Sequence, residues 1–275
     1  PAVMRESARE LLSSGTGDVL LLLGNEAIVR GALEAGVAFA SGYPGTPSSE
    51  VTDTFAAIKD EAGIVFEYSV NEKIALEMAF AASLAGARSI CAMKHLGLMS
   101  AGDPLATIPY IGVEAGMVIV SAGDPSCRTS PNEQDQRRLG PTLHLPVLDP
   151  STPAEAHAMT RFAFELSEAS RLPVLLRITT RVCHSRAAVR CGARQSISVA
   201  GFKPDPKRYV PIPVNARRMR GEIDERLATA ATMMDSSGFC RIGAAAELVV
   251  IASGAPAAAC ADLLQHTPSL AARVS

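Results

Sequence analysis

Along the chain, short apolar runs alternate with stretches whose apolar residues recur every three or four positions. Val19–Leu23, Val37–Ala40, Ile64–Tyr68, Ser89–Met93, Met117–Ser121, Pro146–Leu148 and Val174–Ile178 read as strands. Between them, Asn25–Glu34, Ser48–Lys59, Glu72–Leu84, Leu98–Tyr110 and Ala154–Ala169 read as helices. Strands that are apolar throughout and separated by helices belong to a mostly parallel sheet with helices on both faces. The pattern predicts a doubly wound α/β domain over residues 19–190, preceded by an N-terminal extension, 1–18. Residues 191–245, with four prolines between 204 and 213, read as a linker carrying a surface helix over Glu222–Met234. Residues 246–275 read as the incomplete start of a second α/β domain: a strand at Leu248–Ala252, then an Ala-rich helix.

Helix starts are marked by Thr46-Pro47, Asp103-Pro104, Ser130-Pro131 and Thr152-Pro153, each a capping residue before a proline suited to the first helical position. Ser69 with Glu72, Ser130 with Glu133 and Thr152 with Glu155 also have capping-box spacing.

Composition narrows the function classes. Of 275 residues, 48% are hydrophobic and 20% charged, as in a globular protein. A net charge of -2, only 4% aromatic residues and no Trp argue against nucleic-acid binding. The longest early apolar run, Val19–Leu23, is too short to span a membrane. The six cysteines form no C-x-x-C pair, so neither a zinc site nor an iron–sulfur cluster is expected on this segment. With no leader segment in view, reduced thiols in a cytoplasmic protein are expected.

Four polar runs follow predicted strands, where ligands bind in open α/β sheets. Ser41–Glu50 holds Tyr43, Pro44, Gly45 and Thr46: its glycines allow close backbone approach, and the following helix start offers free amides. A well-capped strand-to-helix turn is the competing reading. Ser69–Lys73 places Glu72 at a helix start, where a capping box is the competing reading. Lys94 and His95 could present a cation and an imidazole to an anionic substrate, or form a surface loop before Asp103. Ser130–Arg137, with Asn132 and Gln134, is either a polar site loop or a capped, solvated helix start. No Ser/His/Asp set, Walker loop or G-x-G-x-x-G run occurs.

Taken in order, the segments LLLGNEAIVRGALEAGV, GYPGTPSSE, YSVNEKIALEMA, MKHLGLMSAGDPL, NEQDQRR, FELSEASRLPVLLRITTRV and VNARR resemble the N-terminal part of the alpha subunit of indolepyruvate:ferredoxin oxidoreductases. The resemblance runs from about Leu20 through the linker. It implies the pyrimidine-binding domain of a thiamine-diphosphate fold, in an enzyme that oxidatively decarboxylates arylpyruvates with coenzyme A and reduces ferredoxin. By that resemblance Glu72 is the carboxyl group that hydrogen-bonds the cofactor's aminopyrimidine ring, favouring the imino tautomer that takes the thiazolium proton. Tyr43, Pro44 and Gly45 would border the cofactor. Thr46, Lys94, His95, Asn132 and Gln134 would face the substrate, with His95 also a candidate acid or base. Pro131 stands where the family has Gln.

No Gly-Asp-Gly run occurs, so Mg2+ and the cofactor's phosphates would be held by another domain or subunit. Iron–sulfur clusters would likewise lie elsewhere. The implied partners are that diphosphate-binding unit, a second oxidoreductase subunit, ferredoxin and coenzyme A, in an oligomer inactive as the isolated chain. A non-oxidative thiamine-dependent decarboxylase component and a truncated non-catalytic subunit are the alternatives.

Overall fold

A computed structural model of the protein describes residues 9–12, 15–243 and 246–274. After a helical turn at 9–12 come β1 (Val19–Leu23), α1 (Gly24–Glu34), β2 (Phe39–Gly42), α2 (Ser49–Ala62), β3 (Val65–Tyr68), α3 (Glu72–Leu84) and β4 (Ser89–Lys94). Next are α4 (His95–Ser100), α5 (Gly102–Ile111), β5 (Met117–Gly123), a 3-10 turn at Gln136–Arg138, α6 (Leu139–Leu143), β6 (Val147–Leu148), α7 (Pro153–Ser170), β7 (Val174–Thr179), α8 (Thr180–Cys183) and β8 (Arg186–Arg190). The chain continues through α9 (Pro206–Tyr209), α10 (Pro213–Ser236), α11 (Ala255–His266) and α12 (Pro268–Ala271).

Six strands form one parallel sheet in the order β3-β2-β4-β5-β7-β6. Alternation along β5 explains the double winding. Val118, Val120 and Ala122 pack on one face with α1, α2 and α7, through Ile28, Phe55 and Phe164. Met117 and Ile119 pack on the other with α3, α4 and α5, through Leu76, Leu98 and Ile108. Every residue of β5 and β7 is buried, which is why both read as largely apolar runs, broken in β7 by Arg177.

Several expectations are corrected. Strand β1 leaves the parallel sheet and pairs antiparallel with β8, from Val19↔Arg190 to Leu23↔Arg186. Strand β8 escaped the sequence reading because RAAVR exposes most of its length, and only Val189 is wholly buried. The single helix expected over Leu98–Tyr110 is two, meeting at Ala101. Pro104 has no N–H to give the Ser100 carbonyl, so the helical ladder breaks there. Asp103 consequently lies inside the first turn of α5 and pairs with Lys73 at 2.8 Å. Ser130-Pro131 starts no helix. Thr152 does cap α7, accepting from the Glu155 amide at 3.2 Å, but the Glu155 carboxylate reaches back to Ser151 instead. The surface helix is longer than expected and starts at Pro213, a proline suited to a first turn. Leu248–Ala252 has no strand partner among the described residues beyond one bridge, Leu248 to Val274.

Candidate functional site

Parallel pairing gathers the four polar runs at one end of the sheet. Gly42 ends β2 level with Tyr68 of β3 and Ala92 of β4; Lys94 ends β4 level with Ala122 of β5. The Tyr43–Ser48 turn, the Ser69–Asn71 link, the start of α4 and the loop after Gly123 are therefore neighbours in space, although they span almost a hundred positions of sequence.

A change of cap leaves the Glu72 side chain out of the capping of α3. The spacing Ser69–Glu72 suggested a capping box, but Asn71 is extended (φ -162, ψ 174) and its Oδ1 accepts the Ile74 amide at 2.9 Å. Glu72 is thus the first helical residue, and Ser69 turns its hydroxyl to Met78 Sδ at 3.5 Å. The half-buried Glu72 carboxylate makes no hydrogen bond or ion pair with a described residue. It lies against Gly97, where a Cβ would fall 2.5 Å from Oε1 and 2.3 Å from Cγ. Burial pushes the Cys91 thiol beneath the site up to about 12, and the Glu72 charge adds to that rise.

The Tyr43–Ser48 turn folds onto β4. Tyr43 N donates to Ala92 O at 3.3 Å, and the Ser48 amide and hydroxyl both donate to Gly45 O at 2.8 Å. Thr46 is exposed and does not cap the helix; the Thr46–Pro47 peptide is cis, and α2 begins only at Ser49. Gly45 rests on Lys94, with a Cβ there only 3.2 Å from Lys94 Cβ. Buried Asn25 anchors the turn from below, donating to Pro47 O and Glu50 Oε2 at 2.8 Å each.

Lys94 Nζ donates to Thr129 O at 3.0 Å and has no ion-pair partner among the described residues. His95 is wholly buried: its Nε2 lies 3.0 Å from Asn132 O and its Nδ1 3.4 Å from Ala122 O. Its ring therefore joins the loop after β5 to the strand end and is closed off from solvent. Asn132 is exposed, and Gln134 Nε2 donates to its Oδ1 at 2.9 Å.

The sequence model of the family described as pyruvate flavodoxin/ferredoxin oxidoreductase, thiamine diphosphate-binding, matches residues 30–235. The chain belongs to this family. The indolepyruvate oxidoreductase subunit IorA of Methanothermobacter marburgensis is 48% identical over 249 residues, which are 89% of this chain and 40% of that protein. The IorA subunit of Thermococcus kodakarensis is 48% identical over 217 residues, 77% of this chain and 34% of its own length. The chain thus spans between about a third and two fifths of the length of these relatives. A solved structure, the 2-oxoglutarate:ferredoxin oxidoreductase from Magnetococcus marinus with 2-oxoglutarate, coenzyme A and succinyl-CoA bound, superposes with a TM-score of 0.74 over 94% of this chain and 53% of that one. At 18% identity that likeness bears on the fold alone.

Within this family, described as thiamine diphosphate-binding, the residues at the sheet end fit a pyrimidine ring: a carboxylate without a partner among the described residues, beside a glycine that leaves it room. Among the described residues no three His, Cys, Asp or Glu side chains converge on a metal position, and no helix is long and apolar enough to cross a membrane.

One organising residue escaped the sequence reading. Asp124, 2% exposed, accepts from Thr129 N at 2.7 Å, Ser130 Oγ at 2.7 Å, Thr129 Oγ1 at 3.1 Å and Thr180 Oγ1 at 3.2 Å. Burial pushes its carboxyl up, but these donors outweigh it and hold the group well below the usual carboxylate range. Ser126 and Cys127, at φ 67° and 49°, take left-handed conformations in the turn it closes. Asp124 thereby sets the loop whose carbonyls meet Lys94 and His95. The available signal was an acidic residue immediately after a buried strand, which resembles any loop start.

Proposed function

We propose that this chain supplies the pyrimidine-binding half of a thiamine-diphosphate-dependent 2-oxoacid:ferredoxin oxidoreductase acting on arylpyruvates such as indolepyruvate. The observation that carries the reading is the Glu72 carboxylate: it heads α3 at the carboxyl end of the sheet, is released from capping by Asn71, and abuts Gly97. Bound thiamine diphosphate supplies an electron sink for decarboxylation of the 2-oxoacid. Glu72 holds a proton at the aminopyrimidine ring nitrogen. Tyr43, Pro44 and Gly45 border the ring. Lys94, half-buried and free of carboxylates, sets a cation beside Gly45 for the substrate carboxylate, with Thr46 as a hydroxyl contact. Asn132 and Gln134 present polar side chains on the substrate side. His95 acts in this arrangement chiefly as a positioning residue, because both ring nitrogens face backbone carbonyls.

Apolar side chains stay exposed around Glu72: Val70 at 80%, Met99 at 54%, Tyr43 at 39% and Ile74 at 36%. Such a patch supports docking of a second unit, which would hold Mg2+ and the diphosphate. Iron–sulfur clusters, coenzyme A binding in full, a second oxidoreductase subunit and ferredoxin docking would belong to the rest of that oligomer, in the cytoplasm. The similarity to IorA subunits supports the arylpyruvate preference.

The test is turnover by the holoenzyme with indolepyruvate, coenzyme A and a low-potential viologen acceptor. Acyl-CoA formation with stoichiometric acceptor reduction is expected. Release of the aldehyde without acceptor reduction would mean a non-oxidative decarboxylase, and absence of any turnover with arylpyruvates would refute the substrate assignment.

A further inference from the structure

The loop that carries Thr129 and Asn132 also lines a cavity of about 660 Å3 at the carboxyl ends of β5 and β7. Its wall brings together Arg128, Arg137, Arg177 and Arg181, with Glu133 as its single carboxylate. Glu133 is occupied, accepting the Ser126 amide at 2.8 Å. The first turn of α11, through Ala255 and Pro256, closes the other side. That helix has 12 residues, and the positive end of its dipole points here. Gly254 makes the approach possible: at φ 60° it is left-handed, and a Cβ there would lie 2.6 Å from Asp149 Oδ1.

Two buried side chains at the cavity are incompletely partnered. Thr179, 7% exposed, ends β7 with its Oγ1 unbonded. Arg177, also 7% exposed, pairs with Asp149 through Nη1 at 2.9 Å and leaves its Nε without a partner. Buried donors without partners are unfavourable unless a ligand completes them. Arg128 and Arg181 are exposed and make no ion pair with a described residue. Arg137 is oriented by Asp135 at 2.8 Å and by Ser253 Oγ at 3.0 Å. Asp135 and Asp149 neutralise Arg137 and Arg177, so the groups left for a ligand are the exposed guanidiniums of Arg128 and Arg181, the unpartnered Arg177 Nε, the Thr179 hydroxyl and the helix start, a set that matches the geometry of phosphate oxygens.

We propose that this cavity binds a phosphorylated small molecule through a phosphate or diphosphate group. The site uses none of the residues placed around Glu72 and stands independently of the function proposed above. The full chain is titrated calorimetrically with sodium pyrophosphate at fixed ionic strength, without magnesium, and in parallel with adenosine diphosphate. Saturable one-to-one binding is expected. It should weaken about tenfold or more in the Arg128→Ala/Arg181→Ala double variant and several-fold in Thr179→Val, at unchanged Tm. Glu72→Gln should leave it unaltered. Tighter binding of the nucleotide would assign the site to the phosphates of a larger molecule, and tighter binding of pyrophosphate to a free diphosphate. No saturable binding of either probe, or equal binding by wild type and the variants, would overturn the proposal.

Discussion

Gly97→Ala separates the role of the Glu72 site from the stability of the fold. An alanine Cβ would sit 2.3 Å from Glu72 Cγ, 2.5 Å from Oε1 and 2.7 Å from Cδ. Ordinary contact requires roughly 3.5 Å, so the Glu72 side chain must retreat by about 1 Å. The obstacle is a flexible side chain and not backbone, so the fold can accommodate it. Within α4, replacing Gly by Ala gains about 0.5–1 kcal/mol of helix propensity. Forcing Glu72 off its rotamer costs about 0.5–1.5 kcal/mol. These nearly cancel, and net stability should change by less than about 1 kcal/mol. Geometry at the site does not cancel: a 1 Å displacement of a catalytic group costs about a hundredfold in rate, or roughly 2.7 kcal/mol of barrier. The assay compares urea denaturation of wild type and variant with the rate at which cofactor-loaded holoenzyme exchanges the thiazolium C2 proton. Unperturbed unfolding with exchange about a hundredfold slower is expected. Exchange at the wild-type rate would refute the inference that Gly97 keeps space for the Glu72 carboxylate.

Removing Asp124 should loosen the whole loop: Asp124→Ala leaves four donors without their acceptor and should cost about 2–4 kcal/mol in urea unfolding, with a raised KM for the 2-oxoacid. A loss below about 1 kcal/mol would contradict its organising role. Asn71→Ala should cost about 1 kcal/mol through the lost cap of α3, whereas Ser69→Ala should cost less than half of that; equal losses would restore the capping box.

Glu34, 1% exposed, accepts from Arg30 Nε at 2.8 Å and Gly192 N at 2.7 Å and lies 3.0 Å from His157 Nε2. Burial pushes its carboxyl up, but these partners prevail and bring it down to about 2, from the ordinary 4.5. A depressed folded value means that the stabilisation is complete above pH 4.5 and fades as pH falls toward 2. Glu34→Gln should therefore lower stability by about 2–3 kcal/mol at neutral pH, with the gap closing in that acid window. A gap that stays constant from pH 7 to pH 2.5 would show that its ionisation contributes nothing.

The parallel sheet was readable because β4, β5 and β7 carry apolar residues on both faces, Arg177 being the one charged residue away from their ends, a pattern few other elements produce. Strand β1 looked the same in sequence, yet Val19 and Leu21 are 56% and 64% exposed. An apolar run does not say which sheet it joins; the antiparallel partner 167 positions further along decided that. Capping signals misled in register at Ser69 and in kind at Ser130-Pro131, where no helix starts. Asn71, one position before the helix, displaced Ser69 because its carboxamide reaches the Ile74 amide directly. At Ser130-Pro131 the expected N-cap hydroxyl was already committed to Asp124. The four polar runs at the strand ends were legible as motifs following predicted strands. Asp124, Arg177 and Thr179 were not, since their meaning arises only when β5 and β7 lie side by side with Gly123 opposite Thr179. Gly97 beside Glu72 is likewise a contact between two helices that no spacing encodes.

The central claim is that Glu72 holds the proton that activates the cofactor, and proton exchange at the thiazolium C2 in the Glu72→Gln holoenzyme tests it most directly. With cofactor binding verified separately, exchange is predicted to fall to the rate of free thiamine diphosphate. Exchange at the wild-type rate would contradict the account.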